Sequence, residues 1–337
     1  MNHFSSAAAG SAGDARRDAL VDWLARLSPH YGIDDSTLRA ASADASFRRY
    51  FRVDAAARSL IVMDAPTDRE DSRPFIHVAS LMRAAGINAP EVLEADLVQG
   101  FLLLSDLGTT TYLSALDDSN AGQLFDDALD TLVRWQLASQ PGALPPYDEA
   151  LLRRELDLFP DWYIARHLGH ELSATQARQL EIVYARILAS NLAQPTVFVH
   201  RDYMPRNLMI STPSPGVLDF QDAVMGPISY DVASLFRDAF ISWDEERVLD
   251  WTVRYWDKAR RAGLPVRADF GDFWRDAEWM GLQRHLKVLG IFARINYRDG
   301  KPHYLADTPR FVGYVRAVTR RYAELAPLAR LFDELGI

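Results

Sequence analysis

The segment His200-Arg201-Asp202-Tyr203-Met204-Pro205-Arg206-Asn207 constrains this chain more than any other stretch. An apolar run at 197–199 leads into it, and a second short run, Val217-Leu218, ends at Asp219-Phe220. The spacing predicts a strand, a loop with Asp and Asn five residues apart, and a strand that closes on another Asp. Phosphoryl transfer to a hydroxyl asks for that set. One carboxylate accepts the proton, while an amide oxygen and a second carboxylate hold Mg²⁺ against the phosphates. His-x-Asp alone arises often by chance; the ordered set between two apolar strands does not.

The 337 residues, 48% of them hydrophobic, give room for two lobes or one large domain. A net charge of -9 argues against a nucleic-acid or anionic-membrane partner. With no cysteine, disulfides, a thiolate zinc site and a cysteine nucleophile are excluded, which fits a reducing compartment. Residues 1–14 are rich in Ala, Ser and Gly and lack a basic stretch followed by an apolar one. They read as a tail and not as a signal peptide. No apolar run reaches the length of a membrane span, so a cytoplasmic protein with no membrane partner is expected.

The periodicity predicts a helix over 14–27, with Leu20, Trp23, Leu24 and Leu27 on one face. Strands are expected at 38–43 and 47–53, joined by the turn 44–46, and at 60–63. A helix over 73–85 stops at Gly86, and strands at 91–97 and 101–105 flank a turn at 98–100. Beyond Thr109 the pattern is helical: 122–138, 149–168, 174–192, 230–240, 245–262, 270–295 and 309–324. The Pro- and Gly-rich segment 140–146 breaks it. The expected fold class is therefore α+β and protein-kinase-like. It has a tail at 1–13, a small antiparallel sheet lobe at 14–107, and a larger helical lobe at 108–337 with the catalytic loop and acceptor site.

Asp202 is the candidate general base, placed to reach a hydroxyl bound between the lobes. A lone Asp there would simply cap a turn. Asn207 and Asp219 are the candidate metal ligands; a carboxylate at the end of an apolar strand is costly unless solvated, paired or bound to a cation. Mg²⁺ favours oxygen donors, so His200 is assigned to structural support, its ring bonded to the loop backbone. Asp222 reads as a solvated loop carboxylate. Asp231, ahead of Val232-Ala233-Ser234-Leu235-Phe236, reads as a helix N-cap that also braces the loop.

These residues resemble the aminoglycoside phosphotransferase/choline kinase superfamily. The matching pieces are His200-x-Asp202-x-x-x-x-Asn207, Asp219-Phe220, Gly226-Pro227-x-x-x-Asp231-Val232-Ala233 and Leu103-Leu104-Ser105-Asp106-Leu107-Gly108. Within it the chain is similar to the anomeric N-acetylmuramate/N-acetylglucosamine 1-kinases of bacterial cell-wall recycling. The stretches 42–52, 61–66 and 284–294 carry that closer match. The resemblance implies ATP under the first hairpin, with adenine against the backbone of Ser105 to Leu107. It also implies Mg²⁺ on Asn207 and Asp219, and an amino-sugar acceptor whose anomeric hydroxyl Asp202 deprotonates.

Two departures stand out. The hairpin lacks G-x-G-x-x-G and offers Ser42, Asp44, Ala45 and Ser46 instead, whose backbone N–H groups and hydroxyls are candidate phosphate donors. The third strand carries Met63 in place of the lysine that pairs the phosphates, leaving Arg48 or Arg49 to supply the charge. The alternatives are an ordinary turn and solvated edge arginines.

For the acceptor, Arg284, His285, Lys287 and Arg294 form a basic stripe suited to a sugar carboxylate, or else a solvated helix face. Glu155, Trp162 and Tyr163 are pocket candidates, or core. A different acceptor, an aminoglycoside or a choline-like cation, and a non-catalytic nucleotide-binding module remain competing expectations. Nothing in the sequence sets the oligomeric state.

Overall fold

The computed structural model describes residues 6–41 and 48–337, with side chains described from Ala15 onward. The expected turn at 44–46, with Ser42 and Ser46, lies outside the described residues. The chain divides into two units: residues up to Ala84 with Asn88–Gly108, and Ala85–Ile87 with Thr109–Ile337.

The first unit comprises α1 (Ser6–Tyr31), β1 (Ile33–Ala40), β2 (Arg49–Ala55), β3 (Arg58–Asp64), α2 (Arg73–Ala84), β4 (Val92–Asp96) and β5 (Phe101–Ser105). Helix α1 begins eight residues before the expected residue 14, because Ala7-Ala8-Ala9 carry helical propensity through the segment read as a tail. The five strands form one antiparallel sheet in the order β1-β2-β3-β5-β4. Leu20, Trp23 and Leu24 of α1 pack on Val53, Leu60, Val62, Phe101 and Leu103. Each such side chain, fully buried, contributes roughly 1.5–3 kcal/mol.

Strand alternation therefore puts Arg49, Phe51 and Val53 of β2 on the α1 side, along with Leu60, Val62 and Asp64 of β3. Tyr50, Arg52, Ile61 and Met63 face the other way. At the turn after β4 the chain needs glycine. Gly100 has φ +76°, its carbonyl accepts the Ala65 N–H at 2.9 Å, and a Cβ there would lie 2.0 Å from the Ala65 carbonyl oxygen.

The second unit opens with α3 (Tyr112–Ala115), α4 (Ala121–Leu137) and α5 (Glu149–Leu156). The helix expected over 149–168 stops being α-helical after Leu156, and Phe159–His167 is a π-helical turn. Pro160 has no N–H to continue the α ladder, and the wider turn closes through the Leu168 N–H to Tyr163 O at 2.9 Å. Helix α6 (Ala174–Leu192) starts at a full capping box on Ser173 and Gln176. Then come β6 (Thr196–Val199), a 3₁₀ turn (Pro205–Asn207), β7 (Leu208–Met209), β8 (Gly216–Val217) and β9 (Val224–Pro227). Strand β6 pairs β9 and β7 pairs β8, all antiparallel.

Helix α7 (Tyr230–Phe236) ends four residues before the expected 240, because the Asp238 carboxylate captures the N–H groups of Ala239 and Phe240. Helices α8 (Glu245–Arg261), α9 (Phe270–Asp299), α10 (Thr308–Arg321) and α11 (Ala326–Leu335) complete the unit. The sequence analysis did not anticipate α11, although its buried Leu328, Leu331 and Phe332 have helical spacing. Helix α9 is the centre of this unit. Its residues are buried almost without interruption from Phe273 to Ala293, against the π-helical turn, α6, α7 and α10.

Candidate active site

The loop after β6 is built from two backbone decisions. Arg201 and Asp219 are the two non-glycine residues with positive φ among those described, at +75° and +62°. Such conformations persist only where the surroundings hold them. At Arg201 the support is specific. The Asp231 carboxylate, inside the first turn of α7, accepts the N–H of His200 at 2.7 Å and that of Arg201 at 3.0 Å. Asp231 is thus not the α7 cap, which is Ser229; it ties the helix to the loop.

His200 is fully buried, and both its ring nitrogens bond to backbone. Its Nε2 is 3.0 Å from the Leu218 carbonyl, which can only accept, so Nε2 carries the proton. Its Nδ1 accepts the Asp202 N–H at 3.2 Å. The imidazole is therefore neutral, and burial pushes its pKa down to about 4. Burial also pushes the Asp231 carboxyl up to about 7, with the two N–H donors opposing it.

Asn207 and Asp219 converge. Asn207 Nδ2 donates to the Asp202 carbonyl at 2.9 Å and stands 3.3 Å from Asp219 Oδ2. Gln221 Nε2 donates to Asp219 Oδ1 at 2.9 Å, and the Leu218 N–H donates to the Asn207 carbonyl at 2.9 Å. Asn207 is buried while Asp219 is exposed, so the pair is anchored on one side and open on the other. One carboxylate and one amide are what Mg²⁺ takes from a protein when phosphates and water supply its remaining oxygens. Among the described residues no group of three His, Asp or Glu forms an all-protein metal cage. The arrangement fits the ion on chemical grounds.

Beneath the loop lies a charged network that the sequence did not disclose. Glu155 Oε1 is 2.5 Å from Arg201 Nη2 and 2.8 Å from Lys287 Nζ, while Oε2 accepts from Tyr147 and from Gln283 Nε2, the latter at 3.2 Å. Lys287 also donates to Tyr230 Oη at 3.1 Å, and the Arg201 guanidinium lies 5.5 Å from the Tyr147 ring centre. Burial pushes Glu155 up, but Lys287 and Arg201 outweigh it and hold the carboxyl down to about 2.

Three of the four residues of the basic stripe on α9 are withdrawn from solvent, and Arg294 is half-buried. Arg284, His285 and Lys287 are all buried. Arg284 donates to the Arg237 carbonyl at 3.4 Å, and His285 packs on Phe311 and Tyr314. Lys287 alone of the three joins the network under Asp202. Tyr163 is buried and stacked on Phe159, Trp162 is half-buried beside it, and Asp222 is exposed. Tyr147, Tyr230 and Gln283 escaped the sequence analysis, since none sits in a local pattern that marks it, and Arg201, though inside the 200–207 segment, was given no role there.

In the first unit, Arg49 pairs with the fully buried Asp64, which Arg16 also holds at 2.5 Å, on the α1 side of the sheet. Arg48 pairs with Glu70 at 2.8 Å. Arg52 pairs with Asp106 at 2.5 Å and donates to the Gly108 carbonyl. Ser105 Oγ accepts the Glu91 N–H at 2.8 Å, and Leu107 follows the end of the sheet ladder.

The phosphotransferase enzyme family matches residues 37–269. The chain is 53% identical over 329 residues to an N-acetylmuramate/N-acetylglucosamine kinase of Pseudomonas aeruginosa, covering 96% of this chain and 97% of that protein. It is 50% identical to a protein of the same name from Neisseria meningitidis serogroup B, with 95% and 96% covered. The fold is shared with choline kinase LicA from Streptococcus pneumoniae, at TM-score 0.60 and 13% identity, covering 87% of this chain and 96% of that one.

Proposed function

The chain belongs to the phosphotransferase enzyme family, and from that premise we propose that it transfers the γ-phosphoryl group of ATP to the anomeric hydroxyl of N-acetylmuramate and N-acetylglucosamine. The product is the sugar 1-phosphate, and the setting is amino-sugar recycling in the cytoplasm. The observation that carries this reading is the convergence of Asn207 and Asp219 on one side of the loop that presents Asp202. No helix among the described residues is long and apolar enough to cross a membrane.

Asp202 accepts the hydroxyl proton as the sugar oxygen attacks the γ-phosphorus. The bond to the bridging oxygen breaks, and ADP leaves with that electron pair. Asn207 and Asp219 would hold Mg²⁺, which when bound neutralises charge on the phosphates. Adenine would rest on the backbone of Ser105 to Leu107. We assign Glu155 and Lys287 to support of the loop through Arg201, and not to the acceptor.

The test is an acceptor panel. Purified protein with Mg-ATP is offered N-acetylmuramate, N-acetylglucosamine, glucosamine, choline and an aminoglycoside, and ADP is followed beside Asp202→Asn. Stimulation by the two N-acetylated sugars, lost in the variant, is expected. ADP formation insensitive to every acceptor would contradict the sugar assignment.

A further inference from the structure

We propose that Arg52 and Asp106 form a clamp that shapes the connector leaving β5, so that its backbone accepts adenine and rejects guanine. This rests on the ATP-dependent reading above, which puts the base against Ser105 to Leu107.

The Asp106 carboxylate is saturated. Its Oδ2 accepts from Arg52 Nε at 2.5 Å and from Ser59 Oγ at 2.7 Å, and its Oδ1 accepts from Arg52 Nη2 at 3.0 Å and from the Gly108 N–H at 2.9 Å. A carboxylate offers about four lone-pair sites, and each has its donor. Arg52 Nη2 goes on to the Gly108 carbonyl at 2.8 Å. One guanidinium thus grips both the side chain and the backbone of the connector, a forked geometry that an ammonium does not reproduce. It does so from the Met63 face of the sheet, opposite α1. Burial raises the Asp106 carboxyl, but Arg52, Ser59 and the Gly108 N–H outweigh it and hold the group below the ordinary carboxylate range.

A carboxylate with no acceptor site left does not serve a ligand. What the connector leaves open is backbone. At one end the Ser105 N–H donates to the Glu91 carbonyl at 2.9 Å, and Ser105 Oγ accepts the Glu91 N–H at 2.8 Å. At the other end the N–H and C=O of Gly108 are both bound to the clamp. Between these fixed points the backbone N–H and C=O groups of Asp106 and Leu107 hydrogen-bond to nothing among the described residues. Both residues are half-buried, so those groups are within reach of a ligand. Backbone donors and acceptors left open between two anchored ends make an edge that a planar base can pair with.

The orientation of that edge decides which base fits. Adenine carries an N6–H donor beside an N1 acceptor. Guanine carries the reverse, an O6 acceptor beside an N1–H donor. Peptide groups held in one orientation satisfy the first pattern and set like against like with the second. A connector free to rotate its peptide units would adapt to either base. The clamp removes that freedom, and base selectivity follows from the rigidity.

Calorimetric titration of Mg-ADP, Mg-GDP and Mg-pyrophosphate into wild type, Arg52→Gln, Arg52→Lys and Ser59→Ala tests this without turnover. Arg39→Ala, on an exposed arginine paired with Asp54, is the neutral control. Wild type should bind ADP about tenfold or more tighter than GDP. In both Arg52 variants ADP should weaken about tenfold, while GDP and pyrophosphate change less than about twofold. Ser59→Ala removes one of the four donors and should shift the ADP to GDP ratio the same way by a smaller factor. It serves if the Arg52 variants do not fold. An ADP to GDP ratio near one in wild type, an unchanged ratio in every variant that folds, or pyrophosphate weakened as much as ADP overturns the proposal. Wild type that binds neither nucleotide nor pyrophosphate would instead overturn the phosphotransferase reading itself.

Discussion

The Glu155 carboxylate and the Lys287 ammonium stand 2.8 Å apart, with only 7% and 10% of their side chains exposed. Glu155 also holds Arg201, whose backbone sits in the left-handed region one residue before Asp202. One buried carboxylate thus neutralises two cations and braces the backbone beside Asp202.

Removing it should be costly. Glu155→Ala leaves Arg201 and Lys287 buried without their partner, and a loss of about 3–5 kcal/mol is expected by chemical denaturation. The pH dependence follows from the sign of the shift. The folded carboxyl is depressed from its ordinary value of 4.5 to about 2, so its contribution is complete above pH 4.5 and fades as pH falls toward 2. In Glu155→Gln this part of the acid-induced loss should vanish.

Asp231 and His200 oppose one another. Burial pushes folded His200 down to about 4 from its ordinary 6.5, so stability rises with pH across that window. Folded Asp231 titrates near 7 against 3.8, so its contribution falls with rising pH over much the same range. Asp231→Asn removes the second slope. The variant's stability should climb between pH 4 and 6.5 more steeply than that of wild type, read from denaturation midpoints. An amide presents one acceptor oxygen where the carboxylate presented two. The loop should therefore loosen, with kcat falling about 10²-fold while nucleotide affinity holds.

How much of this was legible in the sequence differs by element. The loop 200–207 and Asp219 were readable because strand, loop and strand are contiguous and their polar residues interrupt apolar runs. The apolar face of α1 was readable from the helical spacing of Leu20, Trp23 and Leu24, but the strand order and the packing of that face on the sheet are set by contacts distant in the chain. The role of α9 was not readable. Arg284 and Lys287 look solvent-facing by local pattern, and the partner that permits burial of Lys287, Glu155, lies 132 residues away in the chain. The π-helical turn was equally hidden, since Pro160 signals a break but not that the chain continues in a wider coil.

Gly290 marks where α9 meets that segment. A Cβ there would lie 2.3 Å from the Leu158 carbonyl carbon and 2.4 Å from its oxygen. Gly290→Ala should gain helix propensity, about 1 kcal/mol, yet lose more through overpacking, about 1–3 kcal/mol or beyond. A lowered melting temperature checks this; a raised one would show that the two elements separate freely.

Divalent metal should be indispensable. Chelation is expected to abolish ADP formation and added Mg²⁺ to restore it. Asp219→Asn should raise the Mg²⁺ concentration for half-maximal rate and lower kcat about 10²-fold or more, because an amide replaces the one carboxylate of the pair. A variant with wild-type Mg²⁺ dependence would remove Asp219 from the metal site.

The most direct test of phosphoryl transfer by Asp202 to an anomeric oxygen is the product itself. Phosphorus-coupled proton NMR of the product from Mg-ATP and N-acetylglucosamine should show the anomeric proton split by phosphorus. Formation of that product should fall about 10²–10⁴-fold in Asp202→Asn. Phosphate on any other carbon, or an undiminished rate in the variant, would contradict the account.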